Sequence, residues 1–218
     1  MKDGTAIPGV TTVISGSLGW NKGALLYWAW KQGKDGKDYR ETTTQAANAG
    51  TLAHYLVDCE LTKKPVDLEY VKTFDEKAQK RGQRGFENFQ KWALGNQLRI
   101  FFTEQPLVSE KWRFGGCPDA VALIGGESSI LDWKTSKTSK DVYPEYLIQV
   151  AGGYKMLCEE NFPDQSPPFT RIDIVKFSKE SASFGHHQFD IADAGPPCEK
   201  AFLYLLGLHR ISEKIKSL

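Results

Sequence analysis

The chain lacks several features that would assign it to a class at once. Its 218 residues contain no apolar run near the roughly 18 residues of a membrane span, so no membrane partner is expected. The net charge of +1 gives no global sign of nucleic-acid binding. The four cysteines are dispersed without a Cys-x-x-Cys pair, which predicts free thiols in a reducing compartment and gives no support for zinc.

The first six residues also lack the marks of a targeting segment. They contain neither a secretory apolar stretch nor the Arg- and Ser-rich pattern of a transit peptide, so a cytoplasmic protein of bacterial or phage type is expected. A composition of 40% hydrophobic and 25% charged residues is typical of an ordinary globular chain. We predict one domain over 1–218, mainly helical in 1–95, with a sheet core and a C-terminal helix in 96–218.

The order of hydrophobic patterns predicts an α/β fold. Helices are expected at 21–32, 42–62, 68–93 (broken near Gly82 and Gly85), 144–160 and from Pro196-Pro197 onward, and strands at 98–103, 107–114, 117–124, 129–134, 171–177 and 184–189. Helices before and after a run of strands indicate a central mixed β-sheet flanked by helices. The N-terminal helices would then form a wall or arch over a site on that sheet.

One predicted hairpin brings two aspartates together. Its strands flank Gly125-Gly126, a dipeptide typical of two-residue turns. With that turn, facing residues have numbers that add up to 251, so Asp119 faces Asp132. Facing Cβ atoms lie only about 4.5 to 5.5 Å apart, and like charges there destabilise a sheet. A positive charge is therefore expected beside the two carboxylates.

Lys134 is the nearest candidate for that charge. It follows Asp132 by two residues, so both side chains share one face of the strand, while Leu131 and Trp133 take the other. Two carboxylates and an ammonium suit a hard cation such as Mg²⁺ and a phosphate substrate. For a lone Asp-x-Lys triplet, a solvated surface hairpin is the commoner explanation. The matched register of Asp119 favours the metal site.

These residues resemble a known family. Pro118-Asp119 and Asp132-Trp133-Lys134 are similar to the PD-(D/E)xK nuclease core, in the form found in RecB-like exonucleases. Blocks at 7–14, 49–54 and 149–154 resemble further motifs of that subgroup and occur in the same order. Block order and length are most similar to the branch of the mitochondrial genome maintenance exonuclease and its phage-type relatives. The resemblance implies a restriction-endonuclease-like core and a DNA exonuclease that uses Mg²⁺ or Mn²⁺.

The resemblance also implies roles for individual residues. Asp119 and Asp132 would hold the metal, with His54 and the Trp133 carbonyl as further ligands. Lys134 would orient or deprotonate the attacking water. Some relatives hold an iron–sulfur cluster, which is not expected here because their cysteine spacing is absent. The expected partner is DNA, preferably single-stranded, and a helicase or polymerase partner stays open.

His54 can also be judged from its neighbours. It shares a helical face with Ala47, Gly50, Val57 and Leu61, and a histidine on an apolar face is more often a hydrogen-bonded core residue than a ligand. Gly50, one turn earlier, would let a backbone or a metal site approach closely. Together with the family pattern, this favours a metal ligand, and an imidazole shifts the preference from Mg²⁺ toward Mn²⁺.

Gln149 and Tyr154 depart from the family spacing. The family places its Gln and Tyr one helical turn apart, whereas five residues separate them here. At about 3.6 residues per turn, that offset rotates Tyr154 away from Gln149. A π-bulge at Gly152-Gly153 would restore the alignment, and such bulges occur at functional sites. Without one, Tyr154 is a core aromatic, while Gln149 remains a predicted site residue.

Local basic residues indicate a nucleic-acid surface. Lys80, Arg81 and Arg84 lie on one predicted helix and Lys137 follows the Asp-x-Lys motif, an arrangement that suits phosphate backbones. Most such charge runs are simply solvated helix faces. Aromatic residues also recur in the first predicted helix. Most of them are expected in the core, but some would suit stacking on unpaired bases.

Three alternatives stay open at this stage. A structure-specific or restriction-like endonuclease would share the core and would differ by cutting a covalently closed circle. A catalytically silent nucleic-acid-binding module would show no turnover with Mg²⁺ or Mn²⁺. A metallohydrolase of small phosphoesters would not be inhibited by oligonucleotides.

Overall fold

A computed structural model describes residues 4–18, 22–136, 141–166 and 168–218. The helices are α1 Val10–Ser17, α2 Lys22–Lys34, α3 Tyr39–Thr62, α4 Leu68–Lys72, α5 Glu76–Gly95, α6 Pro144–Leu147, α7 Lys155–Asn161 and α8 Ile191–Lys216, with a π-helical turn at Ile148–Tyr154. The strands are β1 Leu98–Thr103, β2 Leu107–Ser109, β3 Phe114–Gly116, β4 Ala120–Ile124, β5 Glu127–Ser136, β6 Phe169–Ser178 and β7 Phe184–Asp190. None of the helices in these ranges is long and apolar enough to span a membrane.

Five strands form the central sheet in the order β1-β4-β5-β6-β7. The β5–β6 pair is parallel and the other three pairs are antiparallel. The predicted α/β fold, with a central mixed sheet flanked by helices, is confirmed. The strand predicted over 107–114 is instead two short strands, β2 and β3, which pair with each other in a separate two-stranded sheet.

Both faces of the central sheet are covered by helices. On one face, Ile130 and Ile174 belong to a core formed with α1, the π-helical turn, α7 and α8. On the other face, Leu131 and Trp133 pack with aromatic residues of α5 and with Val57 of α3. Consecutive residues of β5 therefore lie in opposite cores, as expected for a strand buried on both sides.

The predicted hairpin is confirmed in its register. Ala120 pairs with Leu131, and every pair of this ladder adds up to 251. The turn residues Gly125 and Gly126 have φ angles of 60° and 93°, both in the left-handed region that a type I′ turn requires. Asp119 directly precedes β4, so the register carries it to the side of Asp132.

The π-helical turn lies where the sequence suggested a bulge. It includes Gly152 and Gly153, each of which packs too closely on another element to carry a side chain. A Cβ on Gly152 would lie 2.6 Å from the Cys198 carbonyl oxygen, and one on Gly153 would lie 2.6 Å from a Val10 methyl group. The two glycines thus let the turn contact α8 and α1 directly.

The predicted break at Gly82 and Gly85 is wrong, because α5 runs through both. A Cβ on Gly82 would lie 2.9 Å from the Leu52 side chain, so this glycine permits close packing of α5 on α3. The chain breaks earlier, between α4 and α5, where the Asp75 side chain accepts a hydrogen bond from the Ala78 amide and caps α5.

The last helix begins before the prolines that were expected to open it. α8 begins at Ile191, directly after β7, and Pro196 and Pro197 lie inside it. Ile191 and Ala194 of its first turn pack on the core, which explains the earlier start. Of the predicted inner face, Phe202 and Leu206 are buried, whereas Leu205 and His209 are half-buried.

Candidate active site

β5 carries the acidic and basic pair of the Asp-x-Lys motif on one face. Asp132 is fully buried, and its Oδ1 accepts a hydrogen bond from Lys134 Nζ at 2.8 Å. The second oxygen, Oδ2, lies 2.7 Å from the same Nζ but is buried without a hydrogen bond of normal geometry. The sequence predicted this shared face, on which the Lys134 ammonium lies against both oxygens of the buried carboxylate.

α3 brings His54 to the same end of β5. A Cβ on Gly50 would lie only 3.0 Å from Thr135 Oγ1, so the glycine allows α3 to approach the strand closely. His54 Nε2 lies 3.1 Å from the Trp133 carbonyl oxygen, which requires the proton on Nε2. Nδ1 is then the nitrogen left to accept a proton or a metal. Ala47, predicted on the same face, is exposed.

Asp119 connects the hairpin to His54. Its Oδ2 accepts a hydrogen bond from the Trp133 amide at 2.6 Å, and its Oδ1 lies 3.7 Å from His54 Nδ1. The backbone of Trp133 is therefore held at two points, by Asp119 at its N–H and by His54 at its carbonyl. The Trp133 side chain points into the core below.

Glu104 is a site residue that the sequence analysis missed. It follows β1, its amide donates to the Asp119 carbonyl oxygen at 3.1 Å, and its Oε1 lies 3.8 Å from His54 Nδ1. Its φ of 45° is unusual for a non-glycine residue, and such conformations cluster at functional sites. The sequence also made Glu110 a weaker candidate, for a second metal, because a Lys-Trp-Arg segment follows it, but Glu110 lies at the exposed turn between β2 and β3. Only the pairing of β1 with β4, which the sequence did not reveal, identifies Glu104.

His54, Glu104 and Asp119 form a cluster that suits a divalent cation. Each offers one ligand atom, and these atoms lie within 4.8 Å of one another. Two carboxylates and an imidazole are donors that Mg²⁺ or Mn²⁺ accepts. Asp132, which the sequence predicted as a ligand, is near enough for its charge to act on Asp119, but it is not one of these three residues, and its carboxylate is paired with Lys134.

The electrostatics of the cluster reflect its excess of carboxylates. Burial alone lowers the pKa of His54, but the nearby carboxylates of Asp119 and Glu104 raise it to about 9. Burial raises the pKa of Asp119, an effect that His54 opposes and Asp132 reinforces. Burial also lowers the pKa of Lys134, yet the Asp132 and Asp119 carboxylates raise it overall. The acidic groups thus hold positive charge tightly.

Gln149 and Tyr154 are joined because the turn between them is π-helical. Gln149 Oε1 accepts from Lys134 Nζ at 3.3 Å, and Gln149 Nε2 donates to the Tyr154 hydroxyl at 2.8 Å. The wider turn brings side chains five residues apart onto one face. Burial raises the pKa of Tyr154 well above its usual value, so its hydroxyl stays protonated. The chain of contacts runs from Asp132 through Lys134 and Gln149 to Tyr154.

The predicted nucleic-acid-binding residues lie along α5, apart from one. Arg81 forms an ion pair with Glu180 at 3.1 Å, and Arg84 donates to the Glu180 carbonyl oxygen at 3.1 Å, so both hold the loop between β6 and β7. Lys80 is exposed on the same helix. Lys137 lies outside the described residues.

Comparisons with known proteins find only distant structural similarity. No family model matches the chain, and no curated protein matches it. An alkaline exonuclease, LHK-Exo from Laribacter hongkongensis, is similar over 60% of this chain and 68% of its own, with 16% identity and a TM-score of 0.37. The structure of LHK-Exo in complex with dAMP is similar over 76% of this chain and 91% of its own, with 16% identity and a TM-score of 0.40. At these scores the similarity assigns no family, and a functional conclusion has to rest on the geometry of the site.

Proposed function

We propose that the chain is a divalent-metal-dependent deoxyribonuclease, an exonuclease that hydrolyses phosphodiester bonds at single-stranded DNA ends. The observation that carries the proposal is the convergence of two groups at one end of β5. One is the His54, Glu104 and Asp119 cluster, and the other is the Asp132 and Lys134 pair. The first suits a hard cation, and the second places an ammonium beside it.

The residues present fit Mg²⁺ or Mn²⁺. Glu104 and Asp119 would hold the ion through carboxylate oxygens and His54 through Nδ1, with Asp132 Oδ2 and the Trp133 carbonyl as further oxygen donors. When bound, such an ion polarises a phosphoryl oxygen and lowers the pKa of its water. The imidazole favours Mn²⁺ over a strict Mg²⁺ site.

Lys134 supplies the positive charge of the protein itself. Asp132 and Gln149 hold its Nζ at 2.8 Å and 3.3 Å, so the ammonium is fixed before substrate arrives. A fixed ammonium stabilises negative charge that develops on the phosphate and can orient the attacking water. Tyr154 fixes the amide of Gln149 in turn, which makes both residues part of the positioning of Lys134.

The sequence motifs support DNA as the substrate. The Pro-Asp, Asp-x-Lys, Gly-x-x-x-His and Gln-to-Tyr blocks resemble RecB-like exonucleases of the PD-(D/E)xK superfamily, and the elements that carry them converge on one site. The mitochondrial or phage-type branch, roles in repair or recombination, and DNA contacts by Lys80 and Lys137 belong to the same proposal. In this view α5 carries the phosphate backbone toward the cation.

The direct test is cleavage of labelled DNA in Mn²⁺ and in Mg²⁺. Linear single strands labelled at either end, a duplex and a covalently closed single-stranded circle are incubated with the wild type, Asp132→Asn and Lys134→Met. We expect loss of labelled ends from linear single strands, an intact circle, and at least about a hundredfold slower cleavage by both variants.

The matched control is Asp164→Asn, which changes an exposed aspartate in a loop. It should cleave at the wild-type rate. Absence of cleavage by the wild type with either metal, or an Asp132→Asn variant that keeps more than a few per cent of the rate, would refute the proposal. Cleavage of the circle would identify an endonuclease instead.

A further inference from the structure

α2 presents an unusually apolar surface for an outer helix. Leu26, Tyr27 and Trp30 are exposed by 72%, 63% and 58%, and we call these three residues the aromatic ledge. Tyr27 and Trp30 have ring centroids 5.7 Å apart, and Lys34 Nζ lies 5.2 Å from the centre of the Trp30 ring. The helix contains lysines and no acidic residue. Its outward face therefore combines flat aromatic rings with positive charge.

A cavity of about 530 Å³ adjoins this helix, and we call it the basic cavity. Among the residues that the structure describes, its lining contains four cationic side chains and no acidic one. They are Lys37, Lys77, Arg81 and Lys179. Lys77 Nζ is held by the neutral amide oxygen of Gln45 at 3.0 Å. Glu180 contacts Arg81 at 3.1 Å from outside this lining and is itself 41% exposed.

The basic cavity continues to the aromatic ledge. Leu25, Trp28 and Thr43 line both the basic cavity and an open apolar groove along α2, and that groove also includes Trp30. A ligand with alternating anionic and flat apolar groups would fit both surfaces at once.

The basic cavity also lies near the candidate active site. Ser136, one of its lining residues, follows Lys134 by two residues on β5. Leu25 lines a further cavity of about 410 Å³ on the other side, and that cavity includes Gln149 and Tyr146. α2 therefore lies across the space between the basic cavity and the Gln149 side of the site.

We propose that α2 and the basic cavity bind a single unpaired nucleic-acid strand, with phosphates in the basic cavity and bases on the aromatic ledge. This inference rests on the proposed function, because the basic cavity lies near the candidate active site. Four cations without an acid among the described residues of the lining match a polyanion. Exposed aromatic rings match bases whose faces are free, which a duplex does not offer. A flat anionic lipid surface would fit the ledge but would not fill a concave cavity.

The test measures binding without catalysis. A fluorescein-labelled 12-nucleotide oligo(dT), and a duplex of equal length, are titrated in EDTA and followed by anisotropy, so the result does not depend on hydrolysis. We expect the wild type to bind the single strand more tightly than the duplex. Trp30→Ala and Tyr27→Ala should each weaken single-strand binding by about tenfold, the size of one lost stacking contact.

Lys77→Ala tests the basic cavity through salt dependence. Binding is measured from about 50 to 200 mM salt, a range over which phosphate contacts weaken strongly. The slope of log K against log salt should fall by about 0.7, the value for one phosphate contact on a single strand. Matched controls are Tyr204→Ala, an exposed aromatic on α8, and Lys200→Ala beside it, which should leave affinity and slope unchanged.

The alternatives have outcomes of their own. Single-strand affinity that is equal in the wild type, Trp30→Ala and Lys77→Ala would overturn the inference, whether or not the wild type cleaves DNA. If Trp30→Ala instead loses only co-sedimentation with phosphatidylserine vesicles, or only self-association, α2 is a membrane or subunit surface and the inference is wrong. If the wild type binds the single strand in this pattern but does not cleave DNA, the proposed nuclease activity is refuted and the inference about strand binding is not.

Discussion

Asp119 connects the two halves of the candidate site through its two carboxylate oxygens. Oδ2 receives the Trp133 amide at 2.6 Å, which fixes the carboxylate to β5, and Oδ1 faces His54 at 3.7 Å. His54 in turn lies against the Trp133 carbonyl at 3.1 Å. The backbone N–H and carbonyl of one residue of β5, Trp133, thus position both a carboxylate and an imidazole, so the site is prearranged by backbone contacts rather than by flexible side chains alone.

The Gln149 and Tyr154 contact gives a prediction at the residue scale. Tyr154→Phe removes the hydroxyl that accepts from Gln149 Nε2, and Gln149→Ala removes the amide that contacts Lys134. Because both act through the position of Lys134, each should slow DNA cleavage by about tenfold, and the double variant should be no slower than the worse single variant. Initial rates of the four proteins with one labelled oligonucleotide measure this coupling.

Tyr204→Phe is the control for removing a hydroxyl, since Tyr204 is exposed on α8. It should cleave at the wild-type rate. Rates of the double variant that equal the product of the two single effects would mean that Gln149 and Tyr154 act independently, contrary to this account.

Some residues of the site could be predicted from the sequence, because they belong to segments that are close together along the chain. Asp119, Asp132 and Lys134 follow from one hairpin, whose register is fixed by a two-residue turn. Glu104 directly follows β1, 15 positions before Asp119, and nothing in the local pattern fixes which strand pairs with β4. Pairings between strands that are distant in sequence are decided by the whole core.

At the scale of elements, the π-helical turn compensates for the greater spacing of Gln149 and Tyr154, which is one residue longer than a regular helical turn allows. Deleting Ala151 from this turn should convert it to regular α-helix and leave Gln and Tyr one turn apart on the same face. We expect the variant to unfold cooperatively and to keep measurable cleavage. Thermal unfolding followed by circular dichroism, together with the cleavage assay, measures both.

Deletion of Met156 from α7 is the matched control. No π-turn absorbs that loss, so the helix before it turns by about 100° relative to the residues that follow. Leu157 and Cys158, both buried, cannot then keep their places in the core. Equal destabilisation of the protein by the two deletions would contradict this role of the π-helical turn.

A second buried carboxylate, separate from the candidate active site, lies on β6 and is contacted by residues of β5, β6 and β7. Asp173 is fully buried and accepts hydrogen bonds from Arg171 Nε at 2.8 Å, Gln188 Nε2 at 3.2 Å, Ser129 and His186. Trp92 Nε1 donates to His186 Nδ1 at 3.1 Å, which leaves the imidazole proton on Nε2 to face Asp173. Burial alone raises the pKa of Asp173, but the hydrogen bonds from His186, Ser129 and Arg171 outweigh it and lower the pKa.

The lowered pKa of Asp173 gives a prediction for stability against pH. Because the folded value lies below the unfolded value, the ionised group stabilises the fold above about pH 4, and this contribution is lost as the pH falls through the folded value. Asp173→Asn should therefore lower the free energy of unfolding at pH 7 by about 3 kcal/mol or more. The difference from the wild type should shrink below about pH 4.

Urea unfolding of both proteins at pH 7, 5 and 3 measures that difference. Asp164→Asn, which changes an exposed carboxylate, should differ little from the wild type at each pH. A gap between the wild type and Asp173→Asn that is as large at pH 3 as at pH 7 would show that the carboxylate charge contributes nothing.

At the scale of the whole molecule, the layered arrangement follows from the hydrophobic periodicity of the segments and from their order along the chain. Strand β1 was predicted with its observed bounds, and the predicted helices and strands occur in the predicted order. The failures occurred where tertiary contacts override local signals. Gly82 was expected to end a helix but instead permits the contact of α5 with Leu52, and the prolines of α8 are tolerated because the turn before them packs on the core.

The same whole-molecule view explains why the site lies at one end of the sheet. α3 supplies His54, the end of β1 supplies Glu104, the hairpin of β4 and β5 supplies both aspartates, and the π-helical turn supplies Gln149. No two segments that are adjacent in sequence supply all of these residues, so the site exists only when the helices and the sheet are assembled. We therefore expect the cation to bind the folded chain and to stabilise it.

The most direct measurement of the central claim is an anomalous diffraction experiment on crystals of the protein grown with Mn²⁺. We predict a manganese peak in contact with the carboxylates of Glu104 and Asp119 and with Nδ1 of His54. A well-ordered structure in Mn²⁺ with no ion touching any of these three side chains would contradict the account.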